Sequence, residues 1–200
     1  MKGIQIQGME MTEVVADRCA SWLHKKSKGD RRRYLKMKLG FETLFINLSK
    51  MVVVYAVALW FQIFLATLLF HLSYYTIRRT SYGRHAGNSL MCSLISIVIF
   101  VGIPYVAPFI VLPTSMIILL FLINGWLIYK FAPSFTTKNR IPSRKKQLKL
   151  RNQSLGTCII IMAVTLMISD STAQTLLTSG ATLASLLTIP NNIVKWRKVT

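Results

Sequence analysis

Residues 78–92 read Arg-Arg-Thr-Ser-Tyr-Gly-Arg-His-Ala-Gly-Asn-Ser-Leu-Met-Cys and gather most of the side chains able to do chemistry. A cysteine attacks as its thiolate, and a free thiol has a pKa near about 8.5. A neighbouring imidazolium, nearby arginines or a helix N-terminus lowers that value, and Cys92 has all three within reach in sequence: His85, Arg78, Arg79 and Arg84, and the start of an apolar helix. On one unbroken helix, the seven-residue offset from His85 to Cys92 spans about 10.5 Å along the axis. Proton transfer needs heavy atoms within about 3 Å, so a Cys–His dyad requires the chain to fold back. Gly87-Asn88 tolerates the left-handed conformations that such a break uses, and Gly83 allows a second bend before His85. The spacing fits two readings. One is a loop histidine over a helix-start cysteine. The other is a basic connecting loop with an incidental histidine, followed by a small buried cysteine, because no acid stands nearby to orient the imidazole.

The remaining candidates point to packing or interfacial roles. Cys158 lies in an apolar stretch with no histidine near it in sequence, and Cys19 on the apolar side of an amphipathic segment. His24 precedes Lys25-Lys26 and reads as interfacial. His71 falls inside an apolar span, where an imidazole serves as a hydrogen-bond partner between helices. Asp170 reads as a solvated loop acid. The three cysteines lack paired metal-ligand spacing, and no HExxH motif, glycine-rich nucleotide loop or carboxylate pair is present.

The elements that must position residues 78–92 follow from composition. Of 200 residues, 52% are hydrophobic and only 16% charged, with 25 Lys plus Arg against 6 Asp plus Glu, a formal charge of +19. Disorder requires low hydrophobicity, so it is excluded. Long uncharged stretches exclude an ordinary soluble nucleic-acid binder. The cations fall in blocks, separated by Met51–Ile77, Ala86–Tyr129 and Asn152–Val194. About 20 apolar residues cross a bilayer core as a helix. Gly102, Pro104, Pro108 and Pro113 divide the second stretch into a hairpin, and Asp170-Ser171-Thr172 divides the third. Phe41–Ile77 has no internal Gly or Pro. Basic short loops stay cytoplasmic, and two spans turning near residues 60–62 keep all blocks on one side; the alternative is one long tilted helix with Lys50 snorkelling to the interface. The result is an all-α integral membrane protein with six transmembrane helices, near 43–60, 62–77, 90–107, 114–131, 155–170 and 174–192. A single membrane domain covers 1–200, with residues 1–40 as a basic N-terminal segment and 41–194 as the bundle. Val14, Val15, Cys19, Trp22 and Leu23 share one face of an N-terminal amphipathic interfacial helix. The basic blocks suit anionic membrane lipids.

The pattern Arg78-Arg79, Gly83, His85-Ala86 and Cys92 at the start of the next span resembles the accessory gene regulator B (AgrB) family. The length, the basic amphipathic N-terminus, Tyr34–Gly40 ahead of the first span and the basic loop after the fourth span agree with it. The resemblance implies a cysteine endopeptidase of peptide quorum sensing in the bacterial cell membrane, its active site at the cytoplasmic face. Its partner would be an AgrD-like propeptide with an acidic C-terminal tail, and it would work as a homodimer without metal or organic cofactor. His85 and Cys92 match the catalytic pair. Backbone N–H groups near Ser89 to Cys92 suit an oxyanion. Arg78 and Arg79 suit a substrate carboxylate, or a membrane surface. Asn88, Ser89 and Ser93 are candidates by proximity for a third catalytic group. Two other classes also fit the composition: a small peptide exporter, with Ser96, Asn124, Thr165 and Ser169 lining a path, and a non-catalytic scaffold for an acidic partner.

Overall fold

The computed structural model describes residues 11–27, 31–81, 89–134 and 143–189. Seven α-helices account for most of them: α1 (Met11–Ser27), α2 (Arg31–Trp60), α3 (Phe64–Ser81), α4 (Ser89–Val106), α5 (Thr114–Phe131), α6 (Arg144–Met167) and α7 (Ser171–Leu186). The chain divides into two compact units, residues 1–54 and 55–200. The division falls inside α2, which runs without a break from Arg31 into the apolar stretch.

In the first unit, α1 packs on the start of α2 through Ala16 and Ala20, both fully buried. A polar clamp holds the pair. The Tyr34 hydroxyl donates to Asp17 Oδ1 at 2.7 Å, and Lys38 Nζ lies 3.1 Å from the same oxygen. The Tyr34 hydrogen bond, followed by Lys38, holds the Asp17 carboxyl below its ordinary range. On α1, Val15, Trp22 and Leu23 are exposed, while Cys19 is half-buried. An apolar groove of about 360 Å³ is lined by Arg18, Cys19, Trp22, Leu23 and Phe41.

The second unit begins with the last residues of α2. That helix ends in a paired-hydrogen-bond cap: Gln62 N–H donates to Leu59 O at 3.0 Å and Ile63 N–H to Ala58 O at 2.9 Å. Such a cap requires a left-handed residue, normally glycine, and here Gln62 takes it with φ 57°. This is the turn expected near residues 60–62. From there α3 and α4 run antiparallel, with the Phe100 ring edge-on to Phe70, His71 and Tyr74 at centroid distances of 5.4, 4.9 and 5.0 Å. A 3₁₀ turn at Ala107–Phe109 leads to α5, and Thr175 Oγ1 donates to Ile110 O just beyond it.

The centre of the unit is α7 against α3. Gly180 faces the α3 backbone so closely that a Cβ there would stand 2.5 Å from Phe70 O. Ser73 Oγ donates to Leu177 O at 2.7 Å across the same contact. On the α5 side, Asn124 donates to Thr182 Oγ1 at 3.0 Å and accepts from Ser185 Oγ at 2.6 Å. Ile77, Ile117, Phe121, Ile128, Cys158, Ile161 and Ala181 fill the apolar core between α3, α5, α6 and α7.

A helix occupies each segment read as a span, with two boundary corrections. The basic stretch 144–151, expected as loop, forms the first two turns of α6; Lys, Arg and Gln are strong helix formers, and nothing there breaks the helix. Asp170 is exposed, as a solvated loop acid would be, and it is also the N-cap of α7, which starts three residues earlier than expected. Its carboxylate accepts from Thr172 N at 3.4 Å and Ala173 N at 2.8 Å, where orphan amides and the helix dipole favour a negative charge. Among the described residues three stretches are long and apolar enough to cross a membrane: Met37–Trp60, Thr114–Phe131 and Arg144–Met167; Leu94–Phe109 is a shorter apolar helix. The remaining two of the helices α2 to α7, α3 and α7, carry more hydroxyls, of which those of Thr67, Ser73, Ser81, Thr175, Thr178 and Ser185 are buried inside the unit. Thr165, Thr178 and Thr182 each donate to the carbonyl four residues back on their own helix, at 2.7, 2.7 and 2.8 Å.

Two outcomes follow. Gln62→Gly relieves the left-handed strain and raises resistance to denaturation by about 1 kcal/mol, measured by titration with sodium dodecyl sulfate in mixed micelles. The Asp17 clamp has a depressed folded-state pKa, so its contribution is complete above the ordinary value of 3.8 and is lost only as pH falls below it. Spin labels at the exposed positions 15 and 39 should therefore give the same distance distribution from pH 8 to pH 5, and a broader one in Asp17→Asn at every pH in that range.

Candidate active site

The ends of α3, α5 and α7 and the starts of α4 and α6 meet at one end of the second unit, and the described parts of the candidate stretch, residues 78–81 and 89–92, lie on this end. The C-terminus of α3 is tied down on three sides. Arg78, half-buried, donates from Nη1 to the carbonyl of Leu187, the C-cap of α7, at 3.3 Å. Helix C-termini leave carbonyls without intrahelical partners and carry partial negative charge, so a guanidinium suits the position on both counts. The Ser81 carbonyl accepts from Ser134 N–H at 2.9 Å, just past the end of α5. Thr80 Oγ1 accepts from Ser154 Oγ on α6 at 2.8 Å. Arg79 is exposed. The two arginines therefore part company: Arg78 braces one helix end on another, and Arg79 faces outward.

Ser89 opens α4, and Cys92 is the fourth residue of that helix. His85, Gly83 and Asn88 lie outside the described residues, as do the side chains of Ser89, Cys92 and Ser93. The register of α4 on α3 still places the backbone at residue 92. Phe100 lies opposite residues 70–74, centred near 72. Eight residues back along α4 corresponds to about eight forward along an antiparallel α3, so residue 92 stands level with about residue 80. The first turn of α4 thus lies beside the braced end of α3, where the first backbone N–H groups of a helix have no intrahelical partner.

Cations crowd the same end. Lys130 is in the last turn of α5, and Arg144, Lys145, Lys146, Lys149 and Arg151 occupy the first two turns of α6. The single acid in residues 55–200 is Asp170, at the opposite end of the unit.

The other sequence candidates resolve differently. Cys158 is buried in the core, as a packing residue. His71 accepts or donates at Nδ1 to the Tyr55 hydroxyl at 2.9 Å, joining α2 to α3 as expected of a histidine within a span. Asn124 and Thr165, weighed as path-lining groups, spend their polar atoms on hydrogen bonds inside the bundle. Sequence reasoning missed Leu187, Ser134, Ser154 and Thr80 as the ties that hold the end of α3. Their only sequence signal is a hydroxyl or a carbonyl near a helix end, which is common everywhere.

A family model for accessory gene regulator B matches residues 16–190. The chain belongs to this family. It is 36% identical over 162 residues to the accessory gene regulator protein B of Staphylococcus carnosus, covering 80% of this chain and 82% of that protein. It is similarly 36% identical over 174 residues to that of Staphylococcus haemolyticus, covering 86% of this chain and 90% of the relative. A putative AgrB-like protein of Clostridium acetobutylicum is 29% identical over 175 residues, covering 88% and 82%. No solved structure matches the chain. The family match takes in every helix from α2 to α7 and the whole of residues 78–92.

The α3–α7 contact is what brings Arg78 to Leu187, and Gly180 is its closest point. Gly180→Ala drives a methyl into the Phe70 carbonyl, forcing the helices apart. Overpacking of this kind costs about 1–3 kcal/mol. The expected result is a lower dodecyl sulfate midpoint for Gly180→Ala, with Gly125→Ala, whose Cβ meets nothing within 4 Å, unchanged.

Proposed function

We propose that the protein is a membrane-embedded cysteine endopeptidase that cleaves the acidic C-terminal tail from an AgrD-like propeptide and promotes ring closure on the remaining peptide. The observation that carries this reading is the family match across residues 78–92, taken with a residue-92 backbone in the first turn of a helix at the cationic end. In this reading α2 to α7 form six spans, α1 lies along the inner membrane surface, and the cationic end faces the cytoplasm, as the positive-inside rule directs. A homodimer follows from the family resemblance.

His85 takes the Cys92 proton, and the thiolate attacks the scissile carbonyl. Unpaired N–H groups at the start of α4 stabilise the oxyanion. The imidazolium then protonates the leaving amine, which departs with the acidic tail. The acyl group remains on Cys92 as a thioester. Water would resolve it to a linear peptide. A thiol of the substrate would resolve it to a thiolactone and a hydroxyl to a lactone, and in each case the incoming proton passes back through His85. Exchange of one thioester for another is nearly isoenergetic, so the thiolactone route keeps most of the acyl activation. Arg79, exposed beside this turn, suits the carboxylates of the tail. Arg78 is engaged with Leu187 O and holds the end of α3 in place.

Reconstitution with an acidic-tailed propeptide followed by mass spectrometry tests the proposal. The expected products are a shortened peptide and, on trapping, a covalent adduct on Cys92. Cys92→Ala and His85→Ala should each lower cleavage by at least about a hundredfold while the protein stays in the membrane fraction. Cleavage at the normal rate without Cys92 would eliminate the reading.

A further inference from the structure

The cations of the second unit have no carboxylate within the unit to answer them, since Asp170 caps the far end of α7. Most of those on α6 are exposed to solvent, but two are held in place by aromatic rings. Lys130 Nζ stands 4.5 Å from the centroid of the Trp126 ring, one turn earlier on α5, and 5.4 Å from that of Phe131. The Arg151 guanidinium lies 4.9 Å from the Tyr129 centroid, crossing from α6 to α5. Neither cation makes a hydrogen bond or an ion pair among the described residues, and Arg151 Nε is buried with no partner there. Trp126 and Tyr129 are themselves 56% and 60% exposed, on the same outward side of α5 as Leu122 and Ile123.

This arrangement is specific in height. Going along α5, apolar exposed residues give way to Trp126 and Tyr129 and then to Lys130. Tryptophan and tyrosine gather at the level of lipid headgroups, with apolar residues on the hydrocarbon side and cations on the water side. Arg151 stands at that level on α6, while residues 144–150 continue beyond it. Planar guanidinium and point-charge ammonium, each set against an aromatic ring and lacking an acceptor among the described residues, form the donor set of a phosphate site.

We infer that Lys130 and Arg151, set by Trp126 and Tyr129, form a binding site for the phosphate of an anionic lipid at the α5–α6 edge. The lipid's acyl chains lie along the exposed apolar side of α5, and its phosphate accepts from the two cations. The site rests on the membrane reading alone; the peptidase reading can fail without affecting it, because its test scores bound lipid and not cleavage.

The test is native mass spectrometry of the full-length protein released from detergent, titrated with phosphatidylglycerol or with phosphatidylcholine of the same chains. The wild-type protein should retain phosphatidylglycerol over phosphatidylcholine by about tenfold. Lys130→Gln with Arg151→Gln should remove most of that preference, and Arg151→Lys, which keeps the charge but loses the planar fork, should remove part of it. Lys145→Gln, Lys146→Gln and Lys149→Gln together should leave it within about twofold. Equal loss in the two sets of variants would overturn the site in favour of diffuse surface charge. Competition by inorganic phosphate at millimolar concentration, or by a hexaglutamate peptide with no effect of acyl chain length, would overturn the lipid assignment in favour of a free anion or an acidic peptide. Circular dichroism at 222 nm identifies a variant that has lost its helices, and Arg151→Lys then decides the outcome.

Discussion

The close approach of α3 and α7 is the contact on which the second unit depends. Within a bilayer, lipid tails are as apolar as leucine, so helices gain little by hiding apolar surface from them. They gain by packing backbones close together and by pairing polar groups. Gly180 against the Phe70 carbonyl does the first and Ser73 to Leu177 O the second. With α7 held there, Asn124 of α5 can reach both Thr182 and Ser185, and Cys158 and Ile161 of α6 fill the space behind. The same contact brings the two helix ends level, which lets Arg78 cap the C-terminus of α7 through Leu187. A shift of α7 along α3 by one turn would move that carbonyl by about 5.4 Å and leave the guanidinium without it.

Charge is sorted along the second unit in the direction of its helices. Its only carboxylate sits at the N-terminus of α7, where the helix dipole favours it. The cations of the unit's described residues collect at the other end. Arg78, Arg79 and Lys130 stand at helix C-termini, a favourable setting. Those of α6 stand at an N-terminus, where the dipole opposes them. A sequence that keeps five cations in that first stretch without an acid must answer them from outside, and both the proposed acidic substrate tail and a lipid phosphate have the required sign.

Legibility in the sequence tracked the kind of physics involved. The helical class and the order of the described helices are readable because charge blocks and apolar runs are one-dimensional features. The turn between α2 and α3 was placed from the positive-inside rule and not from local chemistry, since the left-handed position is filled by Gln62 and carries no glycine signal. The start of α6 lies ahead of its apolar run because Lys, Arg and Gln propagate a helix well, although a run of basic residues reads as loop. Asp170 was seen, but its role as a cap depended on α7 starting at Ser171 and not three residues later. For the candidate site, residues 78–92 were recognised from their types and spacing, and the family match includes them. The bracing of Arg78 was not readable, because Leu187 offers a backbone carbonyl, which every residue has.

By itself the sequence determined the apolar runs, the blocks into which the cations fall, and the short stretch that carries both a thiol and an imidazole. These are sums over neighbouring residues, and solvent transfer and long-range charge depend on little else. Only the tertiary structure decided which polar residues of α3 and α7 face protein, that Asn124 is spent on packing, and that Arg78 and Arg79 have different surroundings. Each of those depends on the distance between atoms more than fifty residues apart, which is set by how closely two backbones can approach where Gly180 leaves room.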